Sequence, residues 1–211
     1  YDGSGTSADP YKIDNIDRLQ CINANHANAT SRSDALSSDY KLTSDIDASE
    51  TASWNDGDGF DPIGKDGNNF TGTFDGSGNA VGDLYIDRPS DDYVGLFGFT
   101  GSSTVENVGV EDADVTGKNL IGGLVGRNEG TVSGSYVTGN VSGSGTFVGG
   151  LVGRNKDTVT DSHAFVNVSN ASGDIVGGLV GKNDGTVKTS YATGNVSGRS
   201  IIGGLVGRNS D

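Results

Sequence analysis

The sequence predicts an all-β protein, a right-handed parallel β-solenoid of ~26–28-residue coils closed at its N-terminus by a cap in which a short helix is expected. Three observations carry this. The string Gly-Gly-Leu-Val-Gly occurs at 122–126, 149–153, 177–181 and 203–207, at spacings of 27, 28 and 26 residues. Glycine supplies 36 of 211 residues and only 32% are hydrophobic, too much of the first and too little of the second for a helical bundle. Short Val/Ile-rich stretches alternate with Gly, Asn, Asp and Ser without helical periodicity. One such unit buries almost nothing alone, whereas stacked units pair strand to strand and bring equivalent side chains about 4.8 Å apart.

The chain divides into three parts. Residues 1–39 form the cap, with a helix near 15–25 placing Ile16, Leu19 and Ile22 on one face and a polar loop following through Ser38. Residues 40–92 hold irregular first coils and a hairpin turning at Asp75-Gly76-Ser77-Gly78. Residues 93–211 hold the regular coils, starting from a degenerate copy, Val94-Gly95-Leu96-Phe97-Gly98. The last coil is expected to be incomplete at Asp211, leaving open strand edges near Gly207-Arg208-Asn209.

Within a unit, each position has an expected role. Leu124, Leu151, Leu179 and Leu205 face inward, while the neighbouring valines stay unassigned because both parities of that stretch are apolar or Gly. Asn128, Asn155, Asn183 and Asn209 form a ladder of side-chain amides that satisfies turn backbone. Val132, Ser135 and Val137, with their counterparts in the next coils, are small or apolar and point to the core. Tyr136, His163 and Tyr191 then stand outward as a column, able to stack on a sugar face or anchor a protein contact, or else simply to serve strand packing.

The repeat and the segments before it resemble the GLUG-motif repeats of prokaryotic surface proteins. Gly-Leu-x-Gly is followed by Asn-x-Gly-Thr-Val-x-x-Ser-Tyr-x-Thr-Gly, and upstream stand Asp9-Pro10-Tyr11-Lys12-Ile13, Tyr40-Lys41-Leu42, Phe60-Asp61-Pro62-Ile63-Gly64 and Phe70-Thr71-Gly72-Thr73-Phe74-Asp75-Gly76. The resemblance implies a secreted cell-surface module, found in adhesins and attached to IgA-cleaving metallopeptidases, with no activity defined for the repeat itself.

Charge narrows the partners. The net charge is −14, with 18 acidic against 6 basic residues in 1–92 and 10 against 8 in 93–211. Such a balance repels nucleic-acid phosphate and anionic lipid. No apolar run approaches the roughly 20 residues of a transmembrane helix, so no membrane insertion is expected of this chain. An acidic, lysine-poor surface fits a halophilic prokaryote, with an ordinary acidic extracellular protein as the alternative. Cys21 is alone, and no signal peptide is recognisable at the start given.

Enzymatic chemistry finds little purchase. The two histidines, His26 and His163, lack the zinc-peptidase spacing, and no Gly-x-Ser-x-Gly nucleophile elbow is present. No cofactor is expected, with calcium the one candidate. Asn55, Asp56, Asp58 and Asp61 alternate oxygen ligands with glycines, as hard cations favour, but without the distant bidentate Glu of an EF-hand. Six Asn-x-Ser/Thr sequons occur, at Asn28, Asn69, Asn140, Asn167, Asn170 and Asn195. The three in register (Asn140, Asn167, Asn195) read as a structural ladder, which leaves Asn28 and Asn170 as the favoured glycan acceptors.

The reading is therefore a non-enzymatic extracellular adhesion or stalk module contacting a glycan or protein on a cell surface. One alternative is a self-assembling subunit of a filament, fibre or viral spike that pairs with copies of itself through open coil ends. Another is a carbohydrate-active β-helix enzyme, which requires carboxylates or basic groups converging on one face.

Overall fold

A computed structural model describes residues 1–23 and 29–210. All strand pairing between named strands is parallel, in four sheets of seven, eight, five and five strands, the two five-stranded sheets beginning at Asp92 and Phe97. This is a parallel β-solenoid. In a regular coil the chain enters through a short corner strand (Asn119–Gly122), turns into Val125–Asn128, turns again into Thr131–Ser133, and crosses a long arm, Tyr136–Gly143. The next coil repeats the path in register: Val125 pairs with Val152, Val132 with Val159, and Tyr136 with His163.

Coil size follows the side chains inside. Tyr40 pairs with Phe74, 34 residues on, and Phe74 with Val105, 31 on, before the 27-residue step from Val105 to Val132. The wide early coils enclose Tyr40, Phe70, Phe74 and Phe97, whose neighbouring rings lie 5.2 to 6.2 Å apart. From Val105 to Val180 the buried hydrophobic side chains are Val, Leu, Ile and Ala, with no aromatic ring among them.

Glycine is needed where the long arm bends. Gly139 sits at φ 111°, and a Cβ there would lie 2.2 Å from the Ala113 carbonyl oxygen of the coil beneath. The register of the two arms shifts at this point, between Val110 and Ala113. Gly194 repeats the conformation at φ 114°.

The cap differs from expectation in one respect and agrees in another. The first helix, α1, spans Ile16–Cys21, capped by Asn15 and burying Ile16 and Leu19. A second, α2, spans Arg32–Ser37 where a polar loop is expected. The signal for it is Ser31-x-x-Asp34: the Ser31 hydroxyl oxygen accepts from the Asp34 amide at 3.1 Å, while Ala35 and Leu36 are buried. The expected hairpin at 75–78 is instead a solenoid corner. Strand Thr73–Asp75 pairs with 40–41 and 104–106, and Ala80–Gly82 pairs in a different sheet, so the two never face each other. Among the described residues no helix is long and apolar enough to cross a membrane.

The two ends are unlike. At the N-terminal end, residues 1–9 lie over the first coil, with the Lys12 amide donating to the Asp2 carbonyl. At the other end Ile201, Ile202 and Leu205 are 39–46% exposed. Leu205 nonetheless keeps the ladder register, its carbonyl accepting from the Leu179 and Val180 amides as the Leu179 carbonyl accepts from Leu151 and Val152.

Candidate functional site

The long arms carry the outward aromatic column. Tyr136, His163 and Tyr191 pair in register, and their rings stack at 5.2 Å with a 4° tilt and at 5.0 Å with a 7° tilt. Parallel pairing one coil apart forces this geometry, since equivalent side chains are held at ring-stacking distance by the backbone. Phe165, which sequence reasoning did not single out, joins edge-on at 4.8 Å from His163 and 5.7 Å from Tyr191. Its signal was its place two residues beyond the column, on the same face of the strand.

The column's protonation is set by its neighbours. The Tyr136 hydroxyl donates to the Glu111 carboxylate one coil below, and that bond, with burial, pushes its pKa up to about 12. Partial desolvation between two rings holds the His163 imidazolium below the usual histidine range. Both shifts favour the neutral form of their ring, Tyr136 and His163.

A second outward column, not anticipated, runs along Arg127, Arg154 and Lys182. Arg127 lies over Phe99 at 4.6 Å, and Arg154 and Lys182 lie 5.8 and 5.7 Å from the Phe147 ring. Glu129 bridges Arg127 and Lys156, and Asp184 bridges Arg154 and Lys182. The recurrent Arg/Lys before each ladder asparagine was the available signal.

Inside, the asparagines hydrogen-bond from coil to coil. Asn128 donates to the Asn155 side-chain oxygen at 2.8 Å, Asn155 to Asn183 at 2.8 Å, and Asn183 to Asn209 at 2.7 Å. Each also donates to the carbonyl two residues on. Thr100 heads the column, its hydroxyl donating to Asn128. Leu124, Leu151 and Leu179 are fully buried, and so are Val125, Val152 and Val180. Each Leu lies in a bend, so a consecutive Leu-Val pair can both turn inward.

The calcium candidates do not come together. Asn55 donates its amide to the Gly59 carbonyl, and Asp56 and Asp58 are exposed. Asp61 turns away: its carboxylate accepts from Asn23 at 2.8 Å and lies 3.6 Å from Lys65 and 4.0 Å from Arg88. Among the described residues no three His, Cys, Asp or Glu side chains gather in a metal-holding group. Of these acids, Asp61 joins the cap to the first coils.

The glycan candidates are also revised. Asn28 lies outside the described residues, as does His26. Asn170 is 2% exposed, its amide donating to the Gly145 carbonyl at 2.7 Å and its oxygen accepting from the Gly173 amide, so in the folded chain it serves as a structural corner. Asn140, Asn167 and Asn195, expected to be the structural set, are exposed.

Comparison with known proteins agrees with this architecture. The GLUG motif matches residues 117–142 and 170–197, so the chain carries GLUG repeats. Over 150 residues it is 43% identical to halomucin of Haloquadratum walsbyi, covering 68% of this chain and 2% of halomucin. Over 134 residues it is 34% identical to a Gly-rich membrane protein of Evansella cellulosilytica, covering 62% of this chain and 14% of that protein. A solved structure described as an immunoglobulin A1 protease from Bacteroides ovatus superposes with a TM-score of 0.73 at 22% identity, over 99% of this chain and 64% of that one. At that identity the likeness is one of fold alone.

Proposed function

We propose that this GLUG-repeat solenoid is a module of a cell-surface protein of a halophilic prokaryote, and that it acts by presenting the aromatic strip of its long arms to a glycan or protein rather than by catalysis. The observation that carries the reading is the flat column of Tyr136, His163 and Tyr191, held in register along the long arms. Rings held in plane by the backbone give contact area with little ordering cost, the property that makes aromatic side chains effective anchors. The likeness to halomucin and to a Gly-rich membrane protein supports the surface location, and the net charge of −14 argues against nucleic-acid partners.

The filament reading is weaker because head-to-tail growth needs two complementary open ends. Here residues 1–9 and the helices lie over one of them. The enzyme reading finds less support, since Glu129, Asp184 and Asp61 are each paired with cations.

The test is binding of the labelled chain to cells and surface glycans of haloarchaeal communities in molar salt. The triple variant Y136S/H163S/Y191S should keep its thermal unfolding profile within a few degrees and lose binding at least about tenfold. Wild-type binding by that variant would overturn the reading.

A further inference from the structure

We infer that Asn167 is an N-glycosylation site, with the exposed ring of Phe165 as the platform for its first sugar. Along the arm His163–Asn170, side chains alternate outward and inward, so Phe165, Asn167 and Ser169 project from one face and are all exposed. This places an aromatic ring, an acceptor amide and the sequon hydroxyl in line, at two-residue steps, on a flat surface.

The arrangement explains a residue that packing does not. Phe165 is 42% exposed and touches the aromatic column only edge-on, while Asn167 follows it by two residues on the same outward face. A pyranose presents a face of C–H bonds that covers such a ring. The other two sequons in register lack this partner: Thr138 precedes Asn140 by two residues and Thr193 precedes Asn195. Asn170, three residues away, is buried with its amide already donating to Gly145. Neighbouring arms are about 4.8 Å apart, roughly the thickness of one sugar ring, so a saccharide on Asn167 occupies the space in front of Asn140 and Asn195.

The chemistry is a transfer from a lipid-linked saccharide phosphate or pyrophosphate, by a host transferase. The bond from the sugar C1 to the Asn167 Nδ2 forms, the C1–O bond to the lipid phosphate breaks, and Nδ2 gives up one proton. Nδ2 keeps one N–H, enough to continue donating to the Asn140 side-chain oxygen, 3.3 Å away.

The test is site-resolved glycopeptide mass spectrometry of the full chain secreted by an N-glycosylating haloarchaeal host, with a glycoprotein of that host as positive control. Asn167 should carry saccharide, Asn170 should be bare, and N167Q should remove the added mass. F165T, which keeps the sequon, should lower occupancy about threefold or more, a loss expected for one ring contact. An unmodified Asn167 beside a modified control overturns the site. Unchanged occupancy in F165T overturns the role given to the ring. Because Tyr136, His163 and Tyr191 are untouched in these variants, failure here is separable from failure of the binding reading.

Discussion

Asn128 donates its side-chain amide to the oxygen of Asn155, 27 residues away and 2.8 Å distant, and Asn155 passes the same bond on to Asn183. Every member therefore needs an acceptor on one side and a donor on the other. Asn155 also satisfies the Asp157 and Thr186 carbonyls while fully buried. Replacing it with Ala strands these groups, and we expect Asn155→Ala to cost about 3 kcal/mol in urea unfolding. Asn155→Asp should cost more at neutral pH, because a carboxylate can accept from Asn128 but cannot donate to Asn183. An Asp variant as stable as wild type would show that the ladder's direction is irrelevant.

Leu151 and Leu205 occupy equivalent places in their coils but not equivalent environments. Leu151 is sealed between coils, whereas Leu205 is 39% exposed. Leu151→Ala should lose about 2–4 kcal/mol, and Leu205→Ala less than about 1 kcal/mol. Equal losses would mean that the last coil is covered in solution, and sedimentation of the chain would then show by what.

Much of this was legible in the sequence because a solenoid writes its structure in its period. The spacing of Gly-Gly-Leu-Val-Gly is the pairing register itself, so the parallel sheets, the asparagine ladder positions and the stacked Tyr136, His163 and Tyr191 all follow from alignment of the repeat. What could not be read was anything set by a side chain's direction at a bend. Leu124 and Val125 both turn inward although alternation permits only one. Asp61 was misread for a related reason. Its loop has cation-loop composition, but its carboxylate is claimed by Asn23 and Arg88 from distant parts of the chain, with Lys65 four residues on. Long-range partners of that kind leave no local pattern.

Gly139 makes a sharp prediction about the bend in the long arm. Its φ of 111° and the 2.2 Å approach of a Cβ to the Ala113 carbonyl leave no room for a side chain. Gly139→Ala should destabilise the protein by about 2 kcal/mol or more, and should broaden amide exchange protection locally on both sides of the bend. Gly67, also at positive φ but with open space around it, is the control: Gly67→Ala should cost about 1 kcal/mol from backbone strain alone.

The pH dependence of stability should separate His163 from the carboxylates. His163 is held below the usual histidine range by its place between two rings, so folding favours the neutral imidazole. The contribution is complete above the unfolded histidine pKa of about 6.5 and fades as pH falls below it, because the unfolded chain then takes up a proton more readily. Glu129 and Asp184 are also depressed, the first chiefly by its Lys156 bond and the second by its bonds to Lys182 and Arg154 outweighing desolvation, and their contributions fade only below the unfolded carboxylate range near 4. Thermal unfolding followed from pH 8 to pH 3 should therefore fall in two stages. His163→Tyr keeps the stacked column and removes the titration, so it should abolish the upper stage and leave the lower one. Persistence of the upper stage in that variant would place its origin outside the aromatic column.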